Sequence, residues 1–289
     1  MKRNKWLPYV LLCFPIVLIV SILIVPMLLS MEYSLKNYEL SRPDDIYFVG
    51  IRNYIKIFTD ETMRRTLLNS AYIVIFMSVF CFLGSVLGGI FLNNLKKSRG
   101  VLLAILIMPW ALPPIVSGII WENIMSSSMG AVNGLLYKIG IIENYIIFTR
   151  SPFITINIVA MIEIWKCLPF FIILLLAALQ AIPDDLYEAA SLDGADSLRC
   201  FLHITFPSII PTIAIILSMA AIEGLNIFDV LYVIAKFRTD TRTLAMESFV
   251  KVLQNLNIGY GSTIAYVLLI LGSIFSIMYV KNLYEKVNI

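Results

Sequence analysis

The chain has 289 residues, 60% of them hydrophobic and 14% charged, with a mean hydropathy of +0.88. A soluble domain averages about 45–50% apolar and about 25% charged residues, so this composition excludes a soluble globular protein and calls for an integral membrane one. The net charge of +3 is too small to imply nucleic acid, and Cys13, Cys81, Cys167 and Cys200 show no CxxC spacing, so no disulfide framework and no metal site are expected.

Taken in order, MKRNK precedes an apolar run from Leu7 to Met31. A helix needs about 20 apolar residues to cross the bilayer core. This run exceeds the apolar region of a signal peptide, so an uncleaved first transmembrane helix is expected over 7–31. Lys2, Arg3 and Lys5 place the N-terminus in the cytoplasm. Residues 32–66 then form an external loop containing FVGIRNY (Phe48 to Tyr54), followed by Leu68-Asn69-Ser70. The second span is 67–95. Its Gly84, Ser85, Gly88 and Gly89 put small residues at helical spacing, which lets another helix pack closely. Lys96, Lys97 and Arg99 mark the next loop as cytoplasmic.

The third span, 101–121, contains Pro109-Trp110-Ala111-Leu112-Pro113-Pro114, then Gly118 and Trp121. Prolines inside a span are tolerated only where neighbours or a cavity satisfy the freed carbonyls. Residues 122–153 are external. Their MGAVNGLL segment holds Gly130 and Asn133, and 135–148 is apolar enough to lie at the membrane interface. The fourth span is 154–179 and the fifth 208–235. A loop over 236–260 is external, and a sixth span covers 262–280, with Lys281 and Lys286 holding the C-terminus inside.

Charges within a span cost about 2.5–3.5 kcal/mol each on insertion scales and usually face a cavity or a partner. Glu163 and Lys166 lie in the fourth run and Glu223 in the fifth. Glu163, Lys166 and Phe170 share one helix face, and Ala220, Glu223, Gly224 and Ile227 share another with Asn226 at its flank. A structural Glu163–Lys166 pair is the plainer reading, and a ligand site the sharper one. Carboxylates accept hydrogen bonds from hydroxyl groups.

Between the fourth and fifth spans, 181–207 is polar and acidic, with Asp184, Asp185, Glu188, Asp193 and Asp196 against Arg199. Pro183-Asp184-Asp185 starts a helix, and Asp185 three residues before Glu188 forms an acidic version of the capping box. Gly194 permits the positive φ that ends this helix. Asp196 or Ser197 then caps a second short helix over 198–205, and Pro207 opens the next span.

Glu188-Ala189-Ala190, three residues, Gly194, nine residues, Ile204, one residue and Phe206-Pro207 match a known pattern at every position except Phe206, where a Leu is usual. The spacing resembles the EAA signature of bacterial ABC importer permeases. The segment PWALPPIVSGIIW, with Gly130 and Asn133, resembles maltose-type and glycerol-phosphate-type members, in particular the first permease of their heterodimers. The resemblance implies an all-α, type I ABC importer permease fold with six transmembrane helices in one domain over 1–289. It implies a cytoplasmic helix-turn-helix coupling loop over 181–207.

The resemblance also implies function. Glu188, Ala189, Ala190, Asp193, Gly194, Ile204 and Pro207 would couple this subunit to an ATPase. Glu163, Lys166, Phe170, Ala220, Glu223, Gly224, Asn226 and Ile227 fall at sugar-contacting positions. The partners implied are a second homologous permease, two copies of a cytoplasmic ATPase, an extracytoplasmic solute-binding protein and a sugar, in a bacterial cell membrane. There is no GxxxxGK[ST] loop in the chain, so ATP and Mg would be bound by the partner. No catalytic residue is expected. Two alternatives stay open: the basic Lys236 to Arg242 turn, where relatives often carry a Gly-rich, Pro-ending one, would suit an anionic solute such as a glycerol-phosphate ester, and the buried charges could serve a proton relay in a secondary transporter.

Overall fold

A computed structural model describes residues 7–95 and 98–287. Lys2, Arg3, Lys5, Lys96 and Lys97, used above to orient the chain, lie outside the described residues, as do the side chains of Lys281 and Lys286. The elements in order are α1 (Leu7–Ile19), α2 (Val25–Ser34), β1 (Lys36–Asn37), β2 (Tyr47–Phe48), α3 (Arg52–Thr59), α4 (Glu61–Asn94), α5 (Arg99–Leu106), α6 (Pro114–Ile124), α7 (Ala131–Lys138), α8 (Pro152–Gln180), α9 (Asp184–Leu192), α10 (Ser197–Cys200), α11 (Phe206–Leu225), α12 (Asp229–Ala235), α13 (Leu244–Phe249) and α14 (Ile258–Val287). Among the described residues, five helices are long and apolar enough to cross a membrane: Leu12–Ser34, Glu61–Asn94, Pro152–Gln180, Ser197–Leu225 and Ile258–Ile277. A sixth candidate is the pair Arg99–Ala111 and Pro114–Ile124, bent by 98°.

The prolines of the third span break it into two helices. A residue preceding proline is pushed out of the helical region. Leu112 and Pro113 both precede prolines, and both are extended, at ψ 137° and 140°. Two extended residues in succession turn the chain between the 3₁₀ turn Met108–Ala111 and α6.

The fifth span also differs from expectation at both ends. Its helix begins at Ser197 and runs through a π-helical turn, Phe201–Thr205, directly into α11, so Pro207 does not open a new element. A proline ring crowds the carbonyl four residues before it, and the wider π turn gives that ring room. The π turn Val20–Ile24 stands in the same relation to Pro26. At its far end the helix stops at Leu225, short of the expected Ala235. The Asn226 side chain donates to the Ile222 carbonyl at 3.0 Å and competes with the backbone there. A separate helix, α12, then starts at Asp229, whose carboxylate suits a helix N-terminus.

Two compact units divide the chain, Met1–Arg64 with Glu247–Val267 and Arg65–Met246 with Leu268–Ile289. In the first, every side chain from Leu12 to Leu29 is exposed. The loop after α2 is tied by side chains. Asn53 donates to the carbonyls of Ser34 and Lys36 at 3.0 Å each, Thr263 donates to the Ser34 carbonyl at 3.1 Å, and Asn257 donates to Glu39 Oε1 at 2.9 Å. The β1–β2 pair is antiparallel, with Lys36 opposite Phe48.

The second unit is built around α8, where Val159, Ala160 and Leu175 have no exposure. The close-packing stripe of the second span meets α8 directly: Gly84, Gly88 and Gly89 face Leu168, Ile172 and Leu175. Leu92, Ile172 and Leu176 form one cluster, and Val74, Ala221 and Leu225 another, extended by Leu268, Leu271 and Phe275. Asn69 donates to the carbonyls of Asp240 and Arg242 at 3.2 and 3.0 Å, and Ser70 Oγ accepts from the Leu244 amide at 2.9 Å. Asn133 is fully buried and bonds Ser126 and Ile146 across the loop after α6.

Candidate functional site

The polar loop forms a hook. α9 starts at Asp184 after an extended Pro183, with no side-chain cap, so the capping box expected from Asp185 is absent. Asp184 and Asp185 instead lie in the first turn, where negative charge meets the helix dipole. α9 ends in a Schellman arrangement: the Gly194 amide donates to the Ser191 carbonyl at 3.1 Å and the Ala195 amide to the Ala190 carbonyl at 2.9 Å. Gly194 has φ +78°, a conformation that costs any residue with a Cβ. Asp196 then caps the returning helix through Oδ1, which accepts from the Arg199 amide at 2.8 Å. A cap of this kind is worth about 1 kcal/mol.

This geometry displays the signature residues. Glu188, Ala189, Asp193 and Pro207 are exposed, and Ala190 and Ile204 are half-buried. Large apolar side chains stand beside them in solvent: Leu186, Leu198 and Leu202 are exposed, and Leu192 is 88% exposed. Tyr187 Oη lies 2.8 Å from Thr205 Oγ1 and joins α9 to the π turn.

Inside the membrane segment, Lys166 Nζ lies 2.7 Å from Glu163 Oε2, with side-chain exposures of 12% and 6%. The aromatic surface near them was not expected. Trp110 stacks on Phe170 with centroids 5.2 Å apart, and Trp121 meets Trp165 edge-on at 5.6 Å. The tryptophans at 110, 121 and 165 were visible in the sequence, but only the fold pairs them.

Ala220, Glu223 and Gly224 lie on one face of α11, and the candidate residues there differ in exposure. Glu223 and Asn226 are exposed, whereas Ala220, Gly224 and Ile227 are buried. Ile227 lies past the end of α11. A Cβ on Gly224 would stand 3.2 Å from the Val74 Cα, so this glycine is where α11 touches α4. The basic turn after α12 has internal partners. Lys236 pairs with Glu122 at 3.1 Å, Arg238 with Asp240 at 2.8 Å, and Arg242 donates to the Phe237 carbonyl at 2.9 Å. No group of three or more His, Cys, Asp or Glu residues that could hold a metal occurs among the described residues.

The family model for the binding-protein-dependent transport system inner membrane component matches residues 81–287. The trehalose/maltose transport system permease protein MalF of Thermococcus litoralis is 32% identical over 284 residues, covering 96% of this chain and 94% of that protein. The sulfoquinovosyl glycerol transport system permease protein SmoG of Agrobacterium fabrum is 33% identical over 282 residues, covering 96% and 90%. In structure, a chain of a bacterial ABC transporter involved in the import of the acidic polysaccharide alginate superposes with a TM-score of 0.81 at 22% identity, over 96% of both chains. That likeness shows the type I permease fold over 96% of the chain.

Proposed function

The chain belongs to the family of binding-protein-dependent transport system inner membrane components, and from that premise we propose that it is one half of a heterodimeric permease importing a sugar, in particular an oligosaccharide. It is a multi-pass membrane subunit of an ABC importer. An extracytoplasmic binding protein delivers the solute, and two copies of a cytoplasmic ATPase bind ATP and Mg and drive the change of access. The termini and the hook lie on the cytoplasmic side. The second permease covers apolar surface that this chain leaves open, such as the face running from Leu12 to Leu29.

The observation that carries the reading is the hook, in which Glu188, Ala189, Ala190, Asp193 and Gly194 are presented on a short exposed helix and Ile204 and Pro207 begin the return to the membrane. The sugar rests on the relatives: MalF is named for trehalose and maltose, and SmoG for a sulfoquinovosyl glycerol. Phe170 on Trp110 offers an aromatic wall of the kind that lines small-molecule sites, and the exposed Glu223 and Asn226 offer hydroxyl partners. The cations of α8 and of the turn after α12 already have partners, Lys166 with Glu163, Lys236 with Glu122 and Arg238 with Asp240. That pairing favours a neutral sugar over an anionic ester.

The test is uptake by the complete transporter in liposomes, with ATP inside and the binding protein outside, over a panel of neutral and acidic saccharides. Saturable uptake of a neutral saccharide that requires both ATP and the binding protein is expected. Uptake of an anion alone, or uptake without ATP, would contradict the reading.

A further inference from the structure

The hook's first helix has little to hold it. Of the residues in α9, all but Tyr187 and Ala190 are exposed, and α9 continues into the next helix through the Gly194 turn. A helix attached through a glycine turn can pivot, and force applied to it would be lost in the turn. The Tyr187 hydroxyl closes that freedom. It meets Thr205 Oγ1 at 2.8 Å, and Thr205 is a buried residue and the last of the π turn. The contact spans the hook from the helix carrying Glu188, Ala189 and Ala190 to the π turn within the membrane helix Ser197–Leu225. With the chain through Gly194 as one side and this hydrogen bond as the other, the hook becomes a closed triangle. π turns are rare and occur often at functional sites. Here the turn sets a hydroxyl at the junction between hook and span.

We propose that the Tyr187–Thr205 hydrogen bond is the strut through which movement of α9 reaches the membrane helix Ser197–Leu225, making Tyr187 and Thr205 positioning residues for coupling. The proposal rests on the reading of the hook as the ATPase contact. It adds that docking and transmission are separable, with docking residing in the exposed residues of α9 and transmission in this pair.

The experiment uses the complete transporter, purified through a tag on this chain and reconstituted, and reads solute imported per ATP hydrolysed together with the amount of ATPase that co-purifies. Tyr187→Phe and Thr205→Val each delete one hydroxyl. Each should lower the import-to-ATP ratio by about threefold or more, with the co-purifying ATPase unchanged. The double variant should be no worse than either single one. Thr205→Ser keeps the hydroxyl and should retain the ratio. An unchanged ratio in Tyr187→Phe and Thr205→Val would overturn the strut, as would equal losses in Thr205→Ser and Thr205→Val. Gly194→Val tests the hook apart from the strut. A β-branched residue at φ +78° distorts the turn itself. Import at the wild-type ratio in that variant would overturn the coupling role of the hook altogether. Loss of coupling there with no effect of Tyr187→Phe would overturn the strut alone.

Discussion

Lys166 and Glu163 form an ion pair at 2.7 Å one helical turn apart on α8, with both side chains nearly buried. The pair explains how a span tolerates two charges. Each neutralises the other, and the same helix carries Trp165 and Phe170, which meet Trp121 and Trp110. Removing one member of a buried pair leaves an uncompensated charge and costs about 3–5 kcal/mol, whereas replacing both by apolar groups is often near neutral. Lys166→Met should therefore lower the thermal stability of the detergent-solubilised protein sharply. Glu163→Leu combined with Lys166→Met should recover most of the loss. Equal losses in the single and double variants would show that the two side chains act independently.

Gly224 and Glu223 are neighbours with opposite roles. A side chain at Gly224 meets the α4 backbone at Val74, and overpacking of this kind costs about 1–3 kcal/mol. Gly224→Val should reduce stability and the yield of assembled complex while leaving solute preference alone. Glu223→Ala should leave assembly alone and change uptake or solute preference, because the carboxylate is exposed. Competition between saccharides in the uptake assay distinguishes the two. A change of preference in the glycine variant, or none in the Glu223 variant, would reverse the assignment.

Lys236 occupies a glycine-like conformation at φ 54° and ψ −135°. Such a conformation costs a residue with a Cβ about 1–3 kcal/mol, while its exposed pairing with Glu122 is worth at most about 1 kcal/mol. Lys236→Gly should therefore stabilise the protein or leave it unchanged, despite losing an ion pair. Thermal unfolding checks this, and a clear destabilisation would mean that the ion pair outweighs the backbone strain.

Local signals in the sequence carried some features further than others. The hook was legible because a helix start, a glycine stop and an acidic cap fall within a few residues, and the Schellman bonds at Gly194 and the Asp196 cap follow from them. The capping box at Asp185 failed because the helix begins at Asp184, one residue before that aspartate. The end of the fifth helix was hidden. Apart from Asp229 the residues from Ile227 to Ala235 are apolar, and the stop is marked by the Asn226 side chain, which bonds Ile222, and by Asp229 at the start of the next helix. That end also puts Ile227 beyond the helix that carries Glu223. The roles of Asn69, Ser70 and Asn133 depend on residues far along the chain or across a loop, and nothing local announces them.

The most direct measurement concerns which side of the membrane the hook faces and what covers it. In a variant with the four native cysteines replaced, a single cysteine at Leu192, the most exposed leucine of the hook, is exposed to a membrane-impermeant maleimide. The account predicts no labelling in intact cells, labelling once the membrane is opened and the ATPase stripped away, and protection when the ATPase is restored. Labelling in intact cells, or labelling indifferent to the ATPase, would contradict it.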